Sequence, residues 1–189
     1  MDEIGCYSFK NFLEISSDEI SMVWEWRNNP HIRKWSYNRE VNDLESHILY
    51  IDSLRDSPDK KYWLVFRKSI PIGVLSIVNI NNHKGELGYY IAPEYQGNFY
   101  GVGFLYHSLQ FLYKKTKIRE LDRYMRIDNK AVISLNDKLV RLNKEIIIRE
   151  INQVKEEYFY IRMPLKQWFE DASTDKRIQE LISISNNRE

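Results

Sequence analysis

The segment ELGYYIAPEYQGNFYGVGFL, residues 86–105, decides the fold. We expect a strand over Glu86–Ala92, a Gly-containing loop over Pro93–Tyr100 and a helix from Gly101 onward. The first N–H groups of a helix lack intrahelical acceptors and lie at the positive end of its dipole, so they form a site for an anion. Glycines let the backbone approach a diphosphate closely, but the same pattern also fits a helix start that binds nothing.

With this segment included, the whole sequence predicts a strand, two helices, three strands, a helix, a strand, a helix and two strands. Ser16 with Glu19, and Asn42 with Glu45, have the spacing of capping boxes at the starts of the first two helices. Antiparallel hairpins and strand–helix–strand crossovers both occur in this order. The sequence therefore predicts an α/β fold with a mixed central β-sheet flanked by helices, and an amphipathic helical tail at its C-terminal end.

Length and composition limit the classes of function. A chain of 189 residues favours one domain, and a net charge of +1 argues against a general nucleic-acid binder. A single cysteine, Cys6, allows no internal disulfide, in keeping with a reducing compartment. The sequence has no long apolar run, and its first residues lack the pattern of a signal peptide. We expect a cytoplasmic protein that binds neither nucleic acid nor membrane.

The loop of residues 91–101 resembles the signature of the Gcn5-related N-acetyltransferase (GNAT) superfamily. In that signature, Gln or Arg opens the pattern Q/R-x-x-G-x-G/A, and the loop binds the pyrophosphate of coenzyme A through backbone N–H groups. The resemblance implies an acetyl-coenzyme A site formed by Ile91, Gln96, Gly97, Asn98, Phe99, Tyr100 and Gly101. Phe99 stands where the family has its first glycine, which is a departure from the pattern.

The segment DNKAVISLNDKL, residues 128–139, resembles the family helix N-x-x-A-I-x-L-Y-E-K-L. The resemblance implies that Asn129 contacts the cofactor. Asn136 stands where the family has a tyrosine that protonates the departing thiolate, and Asn cannot donate such a proton. Water, Tyr124 or Tyr100 are the replacements that we consider.

The opening VWEWRNNP, residues 23–30, with IRKW at 32–35, resembles a narrower group. Its members include the nucleotide-linked amino-sugar N-acetyltransferases of pseudaminic acid biosynthesis. Arg27 falls on the buried face of its helix, where it could clamp a substrate phosphate, compensate the helix dipole or pair with a buried carboxylate. His47 could bind substrate, act as a general base, or be an ordinary core histidine.

Two strand side chains, Tyr90 and Ser76, complete the predicted site. Tyr89 and Tyr90 alternate on one strand and so face opposite sides, and the resemblance favours Tyr90 as the cleft residue, with a catalytic role. Ser76 on the neighbouring strand could also face the cleft. Glu86 is interpreted as a charge at a strand edge. Backbone N–H groups near Ile91 would hold the thioester oxygen, as the resemblance implies.

Together these features predict a GNAT domain over residues 1–165 and a helical tail over 166–189 that packs on the domain or at an interface. The expected reaction is direct acetyl transfer from acetyl-coenzyme A, without a metal, to a small-molecule amine. The expected amine is a nucleotide-linked 4-amino-4,6-dideoxy sugar. A protein N-terminus, which would call for an open and acidic cleft, is an alternative, as is a non-catalytic acyl-coenzyme A-binding module. A homodimer is left open.

Overall fold

A computed structural model describes residues 1–97 and 100–187, which form an eight-stranded sheet flanked by helices. The strands are β1 Asp2–Ile4, β2 Tyr7–Asn11, β3 Lys61–Arg67, β4 Ile70–Asn81, β5 Lys84–Ile91, β6 Glu120–Arg126, β7 Glu145–Ile151 and β8 Val154–Pro164. The α-helices are α1 Ser17–Asn28, α2 Pro30–Arg33, α3 Leu44–Ser53, α4 Tyr100–Lys115, α5 Lys130–Leu139, α6 Leu165–Thr174 and α7 Lys176–Asn187.

The sheet is mixed, with strand order β1-β2-β3-β4-β5-β6-β8-β7. Consecutive strands in this order pair antiparallel except β5 and β6, which are parallel and joined by the crossover helix α4. The parallel pairing covers only Lys84–Glu86 against Glu120–Asp122. Beyond Glu86 the two strands diverge, so the edge of β5 that faces β6 has no strand partner over its last residues.

Each face of the sheet is covered by a different set of helices. One hydrophobic cluster joins the sheet to α4 and the C-terminal helices, and it includes Phe104, Leu109, Leu121 and Trp168. A second cluster joins the other face to α1, α2 and α3 through Val23, Trp26, Ile32 and Ile51. Because helices cover both faces, β3 and β4 have long buried stretches rather than a strict alternation.

The helix starts test the predicted capping boxes. Ser16 and Glu19 form the expected box, since the Ser16 side chain accepts from the Glu19 N–H at 3.3 Å and Glu19 accepts from the Ser16 N–H at 2.6 Å. The prediction of Asn42 as the second cap was wrong, because Asp43 caps α3 by accepting from the Ser46 N–H. The Asn42 backbone is instead hydrogen-bonded to the Asn28 side chain at the end of α1.

The C-terminal segment forms two helices and packs on its own chain. The side chains of Trp168, Ile178 and Ile182 are buried in the first cluster. Ser185 of α7 accepts a hydrogen bond from the Gly103 N–H at 3.1 Å. This hydrogen bond joins α7 to the first turn of α4. Among the described helices, none is long and apolar enough to cross a membrane.

Candidate active site

A cavity of about 430 Å³ opens where β5 and β6 diverge. Its wall is formed by α2 and the residues after it, the end of β5, the loop before α4, the first turn of α4 and one face of α5. Most of the wall is apolar or aromatic, with Trp35, Tyr89, Tyr90 and Tyr95 among its side chains. None of the described residues in the wall carries a carboxylate.

The predicted diphosphate loop forms one end of this cavity. Gly97 has φ +85°, a conformation that favours glycine, and a Cβ placed there would touch nothing within 4 Å. The side-chain amide of Gln96 donates to the Ile91 carbonyl at 2.9 Å and so braces the loop against the end of β5. Tyr100 begins α4, and Gly101 follows it in the cavity wall. Two further predicted residues, Asn98 and Phe99, lie outside the described residues.

Asn129 and Asn136 occupy different positions on α5. Asn129 lines the cavity and caps the helix, its side-chain oxygen accepting from the Val132 N–H at 3.3 Å. Asn136 has no solvent exposure, and neither atom of its amide group has a hydrogen-bond partner among the described residues. Asn136 is also absent from the cavity wall. A residue in this place has no direct contact with a ligand in the cavity.

Arg27 lies in the last turn of α1 with its guanidinium largely buried. Its Nη2 donates to the Asn38 carbonyl, whereas its Nη1 is buried with no partner among the described residues. No carboxylate of the described chain pairs with Arg27, which removes the interpretation of a buried ion pair. Burial lowers the pKa of the guanidinium, and the neighbouring Tyr90 and Tyr62 partly counteract this effect. The cation is therefore held at a site that does not neutralise it.

His47 and Tyr90 lie close to Arg27. His47 is 6% exposed, and its Nε2 has no partner among the described residues. Burial lowers the pKa of His47, and Arg27 lowers it further, so the imidazole is neutral at pH 7. Burial raises the pKa of Tyr90, with Arg27 acting in the opposite direction. Only Tyr90 of these three lies in the cavity wall, and Arg27 and His47 stand behind it.

Ser76 is positioned by the pairing of β4 with β5. Its strand partner is Gly88, and a Cβ on Gly88 would come within 2.6 Å of the Ser76 hydroxyl oxygen. Gly88 therefore leaves room for this hydroxyl. Ser76 is half-buried and does not belong to the cavity wall.

Comparisons with known proteins decide the family to which the chain belongs. The family model of the acetyltransferase (GNAT) domain matches residues 12–139, well over half of the chain. The chain belongs to the GNAT acetyltransferase family. The predictions of the family, of the α/β fold and of an acetyltransferase are confirmed.

Individual relatives of this acetyltransferase agree with the family match. Acetyltransferase PseH of Campylobacter jejuni subsp. jejuni serotype O:23/36 (strain 81-176) is 33% identical over 128 residues, which are 67% of this chain and 78% of the relative. The crystal structure of Campylobacter jejuni N-acetyltransferase PseH in complex with acetyl coenzyme A superimposes with a TM-score of 0.61 and 25% identity. That match covers 83% of this chain and 99% of the other. A spermidine N-acetyltransferase from Vibrio cholerae, in complex with CoA and spermine, shares the fold at a TM-score of 0.74 and 14% identity, covering 88% of this chain and 99% of the other.

The structure of this acetyltransferase corrects the interpretation of Glu86 as a strand-edge charge. Glu86 is 7% exposed and is the last residue of β5 to pair with β6. Its carboxylate accepts from the Tyr37 hydroxyl and lies 3.3 Å from the Arg149 guanidinium. Arg149 comes from the distant strand β7 and stacks over Tyr124 at 3.9 Å. Sequence reasoning missed this cluster, because no local pattern brings together residues 37, 86 and 149.

The His, Cys, Asp and Glu side chains of this acetyltransferase, which are the usual metal ligands, lie apart from one another in the described ranges. Within residues 1–97 and 100–187, no group of three or more His, Cys, Asp or Glu side chains is arranged to hold a metal ion. The polar side chains of the cavity wall are tyrosines, serines, the amides of Gln96 and Asn129, and the side chains of His31 and Lys138.

Proposed function

We propose that this acetyltransferase transfers the acetyl group of acetyl-coenzyme A directly to the amino group of a nucleotide-linked amino sugar, of the 4-amino-4,6-dideoxy type. The observation that supports this proposal is the uncompensated Arg27, which lies beside His47 and Tyr90, behind the part of the cavity wall that Tyr90 forms. A largely buried guanidinium without a carboxylate partner suits a ligand that brings its own negative charge. A nucleotide-linked sugar carries phosphates, whereas a polyamine would be repelled by the same cation.

The residues around the cavity fit acetyl-coenzyme A as the acetyl donor. The start of α4, with Tyr100 and Gly101, presents backbone N–H groups and the positive end of a helix dipole to a diphosphate. Gly97 has the backbone freedom and open space that close approach requires. We assign the diphosphate to the loop of residues 96–101, which includes Asn98 and Phe99, and the pantetheine arm to Asn129 and the unpaired edge of β5 near Ile91.

Each side chain of the proposed substrate site has one task. Arg27 binds a phosphate of the nucleotide through its unpartnered Nη1. His47, held neutral, bonds the substrate or accepts the proton that the amine must lose before attack. Tyr90 orients the sugar from the cavity wall, and Ser76 adds a hydroxyl on the neighbouring strand. The amine then attacks the thioester carbonyl, whose oxygen is bound by backbone N–H groups near Ile91.

The alternative of a protein N-terminus as acceptor finds less support. Selection of a cationic N-terminus calls for an acidic cleft, and the described cavity wall has no carboxylate but includes Lys138. The cytoplasmic location remains a proposal. A homodimer, also kept as a proposal, would need a surface other than the tail, whose Trp168, Ile178 and Ile182 side chains pack within the chain.

The test is a thiol-release assay with acetyl-coenzyme A and a panel of amines. The panel contains nucleotide-linked 4-amino sugars, the same sugars without the nucleotide, spermidine and peptides with free N-termini. We expect turnover with the nucleotide-linked sugars and at least a tenfold lower kcat/KM without the nucleotide. Equal turnover of the free sugars, or a preference for spermidine or peptides, would overturn the assignment.

A further inference from the structure

Three polar side chains, on β5, β6 and α5, are buried without hydrogen-bond partners among the described residues. Arg123 of β6 is 2% exposed and Asn136 of α5 is 0% exposed. Several of their atoms have no hydrogen-bond partner in the described part of the chain. These atoms are both terminal nitrogens of Arg123, both amide atoms of Asn136 and the hydroxyl of Tyr89. Buried polar groups are rarely left without partners, so these groups need an explanation.

The positions of Tyr89 and Arg123 connect them with the cavity. Arg123 is the first residue of β6 beyond the last parallel pair, Glu86 with Asp122, so it stands at the narrow end of the diverging strands. Tyr89 is three residues beyond Glu86, lines the cavity, and packs with its ring 5.9 Å from that of Phe104. The hydroxyl of Tyr89 is shielded from solvent and close enough to Arg123 for each to shift the pKa of the other.

The charge on Arg123 is not neutralised by a carboxylate of the described residues. No ion pair of the described residues includes Arg123, and a buried cation without a partner costs several kcal/mol. Leu121 and Met125, its neighbours on the same face of β6, are ordinary core residues. A leucine or methionine at position 123 would pack without this cost. The cation is therefore suited to a negative charge that develops beside it only during the reaction.

We propose that Tyr89, assisted by Arg123, is the acid that protonates the sulfur of coenzyme A as it leaves. This inference rests on the proposed acetyl transfer. The amine nitrogen forms a bond to the thioester carbon, the C–S bond breaks, and its electron pair remains on sulfur. Tyr89 passes its hydroxyl proton to that sulfur, and the guanidinium of Arg123 stabilises the resulting phenolate. A proton from water, equivalent to the one lost by the amine, then restores Tyr89.

The other candidate donors are placed less well. Asn136 has no proton to donate and lies outside the cavity wall. Tyr124 points to the opposite face of β6, where it stacks on Tyr160 at 5.2 Å beneath Arg149. Burial raises the pKa of Tyr89, which weakens it as an acid, and the adjacent Arg123 opposes this effect. Tyr89 thus has both a place in the cavity wall and a neighbouring cation.

The kinetic test compares tyrosine variants with an accepted amine. Y89F should lower kcat by roughly 100-fold or more, as loss of a general acid does, while both KM values stay within about twofold. Y113F, which removes a hydroxyl from the far end of α4 beside Phe169, is the matched control and should retain full kcat. A Y89F enzyme that keeps half of the wild-type kcat, or a comparable loss in Y124F instead, would overturn the proposal.

A second measurement needs no amine and separates this inference from the proposed reaction. The thiol of bound coenzyme A is titrated by the ultraviolet absorbance of its thiolate, with wild type, R123M and R123K. The wild-type site should hold the thiol pKa lower than R123M does by roughly 1–3, and R123K should restore part of the difference. Equal thiol pKa values in the wild type and R123M would refute the role of Arg123. A wild type that does not bind coenzyme A would instead refute the proposed function.

Discussion

Replacing Arg27 by methionine should separate substrate binding from stability. Methionine keeps much of the length of the side chain and removes the charge. The variant loses one hydrogen bond to the Asn38 carbonyl, worth roughly 1.5–3 kcal/mol for a charged donor. It also relieves the cost of burying a cation whose Nη1 has no partner in the described chain, which is of the same order. We therefore expect the free energy of unfolding to stay within about 1 kcal/mol of wild type.

The effect of R27M on the substrate should be much larger. Losing the partner of a buried phosphate costs about 2–4 kcal/mol, which corresponds to a KM increase of roughly 30- to 1000-fold for the nucleotide-linked sugar. The KM for acetyl-coenzyme A should be unchanged. Urea unfolding and steady-state kinetics measure the two effects, and R55M, which removes an exposed arginine of the same half of the chain, is the control. The reasoning fails if R27M loses more than about 3 kcal/mol of stability while its remaining folded fraction keeps the wild-type KM.

Three further predictions address the cofactor loop, a buried histidine and the tail. Acetyl-coenzyme A at 100 times its Kd should stabilise the wild type by about 2.7 kcal/mol. G101D, whose Cβ would lie 3.3 Å from Leu135, should lose this gain in a thermal melt, and a retained shift would contradict the loop assignment. Burial lowers the pKa of His107 from 6.5 to about 4, so the folded state takes up fewer protons and stability falls as the pH drops below 6.5. Between pH 7 and pH 5, the titration of His107 should lower the free energy of unfolding by about 2 kcal/mol. Urea titrations at both pH values measure this loss, which H107Q should not show. S185A should lower the unfolding free energy by roughly 0.5–1.5 kcal/mol by removing the hydrogen bond from the Gly103 N–H, with kcat unchanged. S183A, on the exposed face of α7, should have no effect, and equal melts of the two variants would exclude this role of Ser185.

Local patterns predicted most of the fold because the signals involved are local. The Ser16–Glu19 box and the strand–loop–helix order around Gly97 each depend on residues within a few positions of one another. The failures are of two kinds. Asp43 rather than Asn42 caps α3, because the backbone of Asn42 is hydrogen-bonded to the Asn28 side chain of α1. This contact joins two separate helices. The sequence predicts a helical tail but gives no sign of the break within it, where the chain ends α6 at Thr174 and begins α7 at Lys176.

The site was harder to predict because its distinctive contacts are long-range. Glu86, Tyr37 and Arg149 come from three separate parts of the chain, and only the assembled sheet brings them together. A signal for Arg123 was nevertheless present in the sequence. The alternation Leu121, Arg123, Met125 places an arginine among inward-facing apolar residues of one strand, where a charge is costly. The roles assigned to Arg27, His47, Ser76, Tyr90 and the loop residues stay predictions until the variants are measured.

Arg27 and Arg123 have the same physical relation to the fold, although they lie on opposite faces of the sheet. Each guanidinium is withdrawn from water, and each has a terminal nitrogen without a partner among the described residues. A resting protein gains no stability from such charges, since apolar side chains of similar size would avoid the desolvation cost. Their use lies in the charges that the reaction brings, a substrate phosphate on one side and a leaving thiolate on the other. Neutral substitutions at either position should therefore leave the protein equally or more stable and reduce its activity, as expected where active-site function opposes stability.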